Sequence, residues 1–212
     1  MKKEHKFFER FLDNDLDNLF DYLIKKQKDL LDGNIGDIPA EELAKYNREN
    51  GPTTRLGSFY NVFDFDHPSI LKLKSALVDV MKEASEYYEI DFPAMEYKIH
   101  GWYNVVAKPD GDMIVDPLSS DSFMHDHMGG EGAPVFHGYY CVNSEPSTTY
   151  YKINNETKFG NVNKNNRLIV SETGHPHGRD SWNEDKPRMS IAYDIIPSSM
   201  LPENAQNWIV LE

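Results

Sequence analysis

From residue 93 onward the chain changes texture, and that change constrains its fold more than any other feature. Short runs rich in Val, Ile, Tyr, Phe and Thr alternate with turn residues. The runs at 95–107, 112–115, 134–143, 147–153, 167–171 and 188–196 read as strands. Pro109-Asp110-Gly111-Asp112 and the stretch from Asn143 to Pro146 read as turns. Upstream the spacing is helical. Leu12, Leu16, Leu19, Phe20, Leu23, Ile24 and Leu30 mark one face of a helix over 12–31, with Asp13 or Asn14 as its cap and Asp32-Gly33-Asn34 as its end. Ile70, Leu73, Ala76, Leu77, Val80 and Met81 mark a second helix that opens at Pro68 and runs to about Tyr88. Residues 34–66 read as a long ordered loop with a helical turn at Ala40 to Tyr46. Helices first and many strands afterwards predict an α+β chain, mainly β: a sandwich or jelly roll flanked by N-terminal helices. No repeat or low-complexity tract divides the chain. It reads as a single domain over 1–212, with a helical part at about 1–92, a β core at about 93–197 and a tail at 198–212.

Bulk properties exclude several classes. The 212 residues suffice for a real core, and 39% hydrophobic content argues against disorder. No apolar run approaches the ~20 residues needed to span a bilayer. The N-terminus, MKKEHKFFERFL, leads into an acidic amphipathic segment where a signal peptide needs an apolar one. Cys141 is the only cysteine and has no intrachain partner, so the expected location is the cytoplasm. A net charge of −13 repels phosphate backbones and argues against nucleic acid as the main partner.

The eight histidines are unevenly placed. His125 and His127 bracket Asp126, and His175 and His177 bracket Pro176. Imidazole is the commonest transition-metal ligand. Ligands at i and i+2 on extended backbone point to one side. A third ligand from a distant strand then closes one triangular face and leaves the other open, as in non-haem iron oxygenases. A lone surface histidine is usually polar decoration, and His5, His67 and His100 are read that way. Of the second pair, His177 is the expected ligand, because Gly178 lets the chain turn close to a metal. His175 is left to support it or to face solvent.

The segment from Pro187 to Ile195 alternates. Arg188, Ser190 and Ala192 share one strand face, and Met189, Ile191, Tyr193 and Ile195 share the other. A guanidinium beside a hydroxyl suits a carboxylate held by paired hydrogen bonds. Alternation also turns only one of Tyr139 and Tyr140 inward, where a phenol would add a donor.

Taken in order, these residues resemble the 2-oxoglutarate and Fe(II)-dependent dioxygenases, particularly the prolyl-hydroxylase-like branch and small phage-encoded members. The matching features are Trp102-Tyr103-Asn104, His125-Asp126-His127, Tyr139-Tyr140, His177-Gly178 and Arg188-x-Ser190, over roughly 95–196. The resemblance implies a double-stranded β-helix, a form of jelly roll. It implies iron held by His125 and His177, and the distal carboxylate of 2-oxoglutarate held by Arg188 with Tyr140, Ser190 and Asn104. It also implies O2 as co-reactant and a C–H bond of a small molecule or peptide as target. The family usually places Asp or Glu where His127 stands. Three assignments follow: His127 replaces the carboxylate in a three-histidine set; Asp126 turns inward through a bulge; or His127 is the first ligand and Gly129 leaves a gap, as in iron halogenases. Two other readings remain: a cupin-like metal enzyme that does not use 2-oxoglutarate, and a non-catalytic jelly-roll binding or structural protein. The 34–66 and Gly129-to-Pro134 loops are the expected substrate mouth.

Overall fold

The structure, a computed structural model, describes residues 4–36, 38–49, 53–92, 96–108, 125, 135–153, 157–203 and 205–212. In chain order it contains β1 (Phe7–Phe11), α1 (Leu16–Leu31), α2 (Ala40–Glu49), 3-10 turns at Thr53–Phe59 and Val62–Asp64, and α3 (Pro68–Tyr88). There follow β2 (Tyr97–Val106), β3 (Phe136–Asn143), β4 (Thr148–Ile153), β5 (Thr157–Val162), β6 (Arg167–Glu172), β7 (His177–Arg179), β8 (Arg188–Pro197), a 3-10 turn at Ser198–Met200 and β9 (Ile209–Val210). The chain is mainly β, as its patterning predicts, with two antiparallel sheets. Strands β1, β5, β7 and β9 are additions to the sequence reading. The strand expected at 112–115 lies outside the described residues.

Both long helices start where local chemistry sets them. Helix α1 is capped by Asp15, whose side chain accepts from the Asn18 N–H, and not by Asp13 or Asn14. Asn14 is engaged elsewhere: its Nδ2 donates to the Tyr140 hydroxyl at 2.9 Å. Helix α3 has Pro68 in its first turn and His67 as its cap, with Nδ1 accepting from the Ser69 N–H at 3.2 Å. The other ring nitrogen donates to Asn18 Oδ1 at 2.7 Å, which ties the two helix starts together. His67 is therefore a buried structural residue and not surface decoration. Burial also lowers its pKa, against the pull of Asp15 and Asp66, in keeping with a neutral ring that both donates and accepts. His100 is corrected likewise: it is buried, and its Nε2 lies 2.9 Å from Gly57 O and 3.0 Å from Tyr60 O.

The larger sheet has the order β1-β6-β3-β8-β2-β9 and the smaller β5-β4-β7. The two faces of the larger sheet differ. One carries Ile99, Tyr103, Phe136, Tyr140, Val142, Leu168, Val170, Met189, Ile191, Tyr193 and Ile195, and joins a single apolar core with Leu19, Leu23, Ile70, Leu73, Leu77, Val80 and Met81 of α1 and α3. Amphipathic helices thus cover the outside of this sheet. The opposite face looks toward the smaller sheet and holds a second, smaller cluster of Tyr139, Cys141, Tyr151 and Ile169.

Gly138 shows how tightly the outer layer is fitted. The Tyr193 ring crosses it so that the hydroxyl donates to Ile169 O at 2.6 Å. A Cβ at Gly138 would run into that ring and into the Ile169 carbonyl. Gly138→Ala is expected to destabilise the fold by about 3 kcal/mol, the upper end of overpacking costs, because backbone as well as side chain must shift. Chemical denaturation measures it.

Candidate active site

The space between the sheets is polar where a structural sandwich would be aliphatic. Alternation along β3 turns His137, Tyr139 and Cys141 into it, opposite Asp194, Ala192 and Ser190 of β8. From the smaller sheet, His177 and Arg179 of β7 face the same way as Tyr151 and Thr149, their partners on β4. Buried polar groups persist in an interior only when something satisfies them, so their distribution locates the site.

At one end are histidines. His125 and His177 form an antiparallel bridge: each backbone N–H donates to the other's carbonyl at 2.9 Å. Their ring centroids lie 4.5 Å apart. The His177 Nδ1 lies 3.3 Å from His175 O; a carbonyl only accepts, so this contact favours the tautomer with its proton on Nδ1. The sequence reading did not include His137. Its ring stacks on His177 at 4.7 Å, and its Nε2 lies 3.0 Å from Ser171 Oγ. The signal for it was available: His137 stands two residues before Tyr139, on the same strand face. His175 turns its ring to His5, with centroids 4.2 Å apart. His5 is half-buried and not plain decoration; burial, then the nearby His175, lowers its pKa to about 4.

At the other end is Arg188, 5% exposed. Its Nε donates to Ser147 Oγ at 3.3 Å and its Nη1 to Ser190 Oγ at 3.1 Å. The Ser147 hydroxyl is itself fixed, donating to Ser144 O at 2.5 Å and accepting from Asn163 Nδ2 at 2.9 Å. A guanidinium has five N–H donors, so the remaining three make no hydrogen bond to any described residue. No carboxylate forms an ion pair with it among the described residues; Asp180, Cys141 and Tyr139 lie within electrostatic range only. Burial lowers the Arg188 pKa, the mark of a charge kept out of water. An unpaired buried charge costs several kcal/mol, and a carboxylate ligand would remove that cost.

The tyrosine assignment is corrected. Tyr140 lies on the helix side of the sheet, where its hydroxyl donates to Asn166 Oδ1 at 2.5 Å. Tyr139 takes the inward position, because Phe136, Tyr140 and Val142 are the set that packs under the helices. The hydroxyls of Tyr139 and Tyr151 are buried and reach hydrogen-bond geometry with no described residue, although they approach each other and Thr149. Burial holds both phenols protonated, well above the usual tyrosine range. Tyr151 connects the two ends, since its ring also lies 5.4 Å from His177. Asn104 is opposite Ser190 in register and shares its face. Trp102 shares that face too, packed under Gly57 of the first 3-10 turn, so part of the 34–66 segment walls this side of the interior. Asp126, His127, Gly129 and the Gly129-to-Pro134 loop lie outside the described residues.

The residues fit a metal and an oxo acid at several points. Two imidazoles converge, and the contact of one with the His175 carbonyl favours a proton on Nδ1. Between them and Arg188 lie the Tyr139 and Tyr151 hydroxyls, which meet no hydrogen-bond partner among the described residues. Among the described residues no group of three His, Cys, Asp or Glu is arranged to hold a metal ion.

No family model matches the chain, and no curated protein matches it in sequence. Among solved structures it is similar to a prolyl-4-hydroxylase from Pseudomonas putida, at 8% identity, covering 91% of this chain and 93% of that one with a TM-score of 0.51. That likeness is one of fold. Lower similarities are to HygX from Streptomyces hygroscopicus with iron bound (12% identity, 77% and 80% covered, TM-score 0.41) and to the non-haem α-ketoglutarate-dependent epimerase SnoN of nogalamycin biosynthesis (11%, 77% and 75%, 0.41). The chain thus has the fold of that prolyl-4-hydroxylase, and no helix among its described residues is long and apolar enough to cross a membrane.

Proposed function

We propose that this protein is a non-haem Fe(II), 2-oxoglutarate-dependent dioxygenase that hydroxylates a C–H bond of a small-molecule or peptide substrate. The observation that carries the reading is Arg188: a buried guanidinium with three donors that meet no described residue, between the same sheets as half-buried His177, whose ring meets that of exposed His125. In this reading the two sheets, with His125 bridged to β7, form a double-stranded β-helix. His125 and His177 hold the iron, and His127 completes a three-histidine set. When bound, iron supplies the coupling of O2 to the co-substrate: one oxygen atom enters the C–H bond, the other enters succinate, and CO2 leaves.

The protein's own groups bind and orient. Arg188 holds the distal carboxylate of 2-oxoglutarate through paired hydrogen bonds. Ser147 and Ser190 hold the guanidinium in place. Tyr139, with its hydroxyl buried and its proton retained, donates to the bound co-substrate in the role first given to Tyr140. His175 O favours the His177 tautomer with its proton on Nδ1, and the His137 ring limits how far His177 can rotate. The apolar packing of Ile169, Cys141 and Tyr151 around these groups keeps water out and strengthens each polar contact.

Purified protein given Fe(II), 2-oxoglutarate and O2 is expected to form succinate slowly without any substrate, as measured by NMR of the products. No succinate, together with no rise in melting temperature on adding Mn(II) and 2-oxoglutarate, would contradict the proposal.

A further inference from the structure

Half-buried Arg179 has no part in the reading so far. Arg179 stands two residues after His177 on β7, about 6.6 Å further along the strand, and on the same face. Its partner across the sheet is Thr149. Thr149 lies two residues from Ser147, the residue that holds Arg188, and both are buried. The two arginines are therefore brought together near the start of β4, each within electrostatic range of the other. Arg179 spends one donor on the Asp180 carbonyl at 2.8 Å and forms no ion pair with a described carboxylate.

Asp180 is the only described acid within electrostatic range of the two arginines. Its Oδ2 accepts from the Thr148 N–H at 2.8 Å, and its Oδ1 is buried and meets no donor among the described residues. Burial, and next the neighbouring Arg188, lowers the Arg179 pKa to about 10. Arg167, which also acts on Tyr139 and Cys141, is paired with Glu9 at 3.2 Å, so Arg179, Arg188 and Asp180 leave a single positive charge at this end among the described residues. One carboxylate brings it to neutrality.

We infer that Arg179 is a second guanidinium for the distal carboxylate of the co-substrate, and that with Arg188 it restricts the site to 2-oxo acids carrying a second carboxylate. The inference rests on the proposed function. It adds a residue to the grip and a selection rule: the unmet charge rejects an oxo acid whose far end is neutral, since desolvating both cations then goes unrewarded. Asp180 keeps the like charges of the two arginines from repelling each other apart before the co-substrate arrives.

The test is calorimetric binding to Mn(II)-loaded protein without O2, using 2-oxoglutarate and 2-oxopentanoate, which has a methyl group in place of the distal carboxylate. Wild type is expected to prefer 2-oxoglutarate by about 100-fold or more, in line with one desolvated charge pair. Arg179→Gln should weaken 2-oxoglutarate about 10-fold and leave 2-oxopentanoate unchanged. A purely structural role for Arg179 would weaken both alike. Arg179→Met serves the same purpose, so whichever variant keeps the wild-type circular dichroism carries the result. An unchanged ratio in Arg179→Gln or Arg179→Met, with Arg188→Met still weakening 2-oxoglutarate, overturns this inference alone. Failure of wild type to bind 2-oxoglutarate overturns the proposed function with it.

Discussion

Arg188→Met is expected to weaken 2-oxoglutarate binding by about 100- to 1000-fold while making the ligand-free protein more stable. The first effect follows from breaking a buried, hydrogen-bonded charge pair, which costs about 2–5 kcal/mol. The second has the opposite sign and is the more diagnostic. Without a ligand, Arg188 is a buried cation held by two serine hydroxyls, and no described carboxylate pairs with it. A methionine of similar length removes the desolvation penalty of the lone cation and keeps the packing. Binding calorimetry reads the first effect and chemical denaturation of metal-free protein the second. An arginine present for structure would behave in reverse: stability would fall and binding would be untouched.

His177→Ala is the second large expectation. Loss of a metal ligand should reduce metal affinity by more than the ~10- to 100-fold typical of removing a supporting partner. The fold should survive, because the His125–His177 bridge and the pairing of β7 with β4 are made by backbone groups. In wild type, Co(II) or Mn(II) at one hundred times its dissociation constant raises stability by about 2.7 kcal/mol. In His177→Ala, the melting temperature should not respond to the same concentration, while the metal-free melting temperature stays near that of wild type. A response equal to that of wild type would show that the metal binds elsewhere.

The architecture was legible in the chain because its signals are local. The i, i+3 and i, i+4 apolar steps of α1 and α3, Pro68 at a helix start and the alternation along β8 each act within a few residues. Strands β1 and β7 were not legible. β1 lies in a charged N-terminal segment and is held by its pairing with β6, more than 150 residues away. β7 has three residues, and its identity as a strand comes from β4 and from His125. At the site, the facing of Arg188 and Ser190 followed from alternation. The choice between Tyr139 and Tyr140 needed the other face of β3: Phe136 and Val142 pack under the helices, so Tyr140 goes with them. His67 and His100 were misread because their partners, Asn18 and the carbonyls of Gly57 and Tyr60, are remote in sequence. Alternation with Tyr139 marks the facing of His137, but its partners Ser171 and His177 are brought to it only by the sheets.

The central claim is that one interior holds both the metal and the oxo acid, in contact with each other. The most direct measurement is the visible absorption of protein given Fe(II) and 2-oxoglutarate without O2. Chelation of the oxo acid to iron bound by His125 and His177 predicts a metal-to-ligand charge-transfer band. The band should need both components, be absent in His177→Ala, and need far more 2-oxoglutarate in Arg188→Met. Absence of the band from wild type at saturating Fe(II) and 2-oxoglutarate would contradict the account.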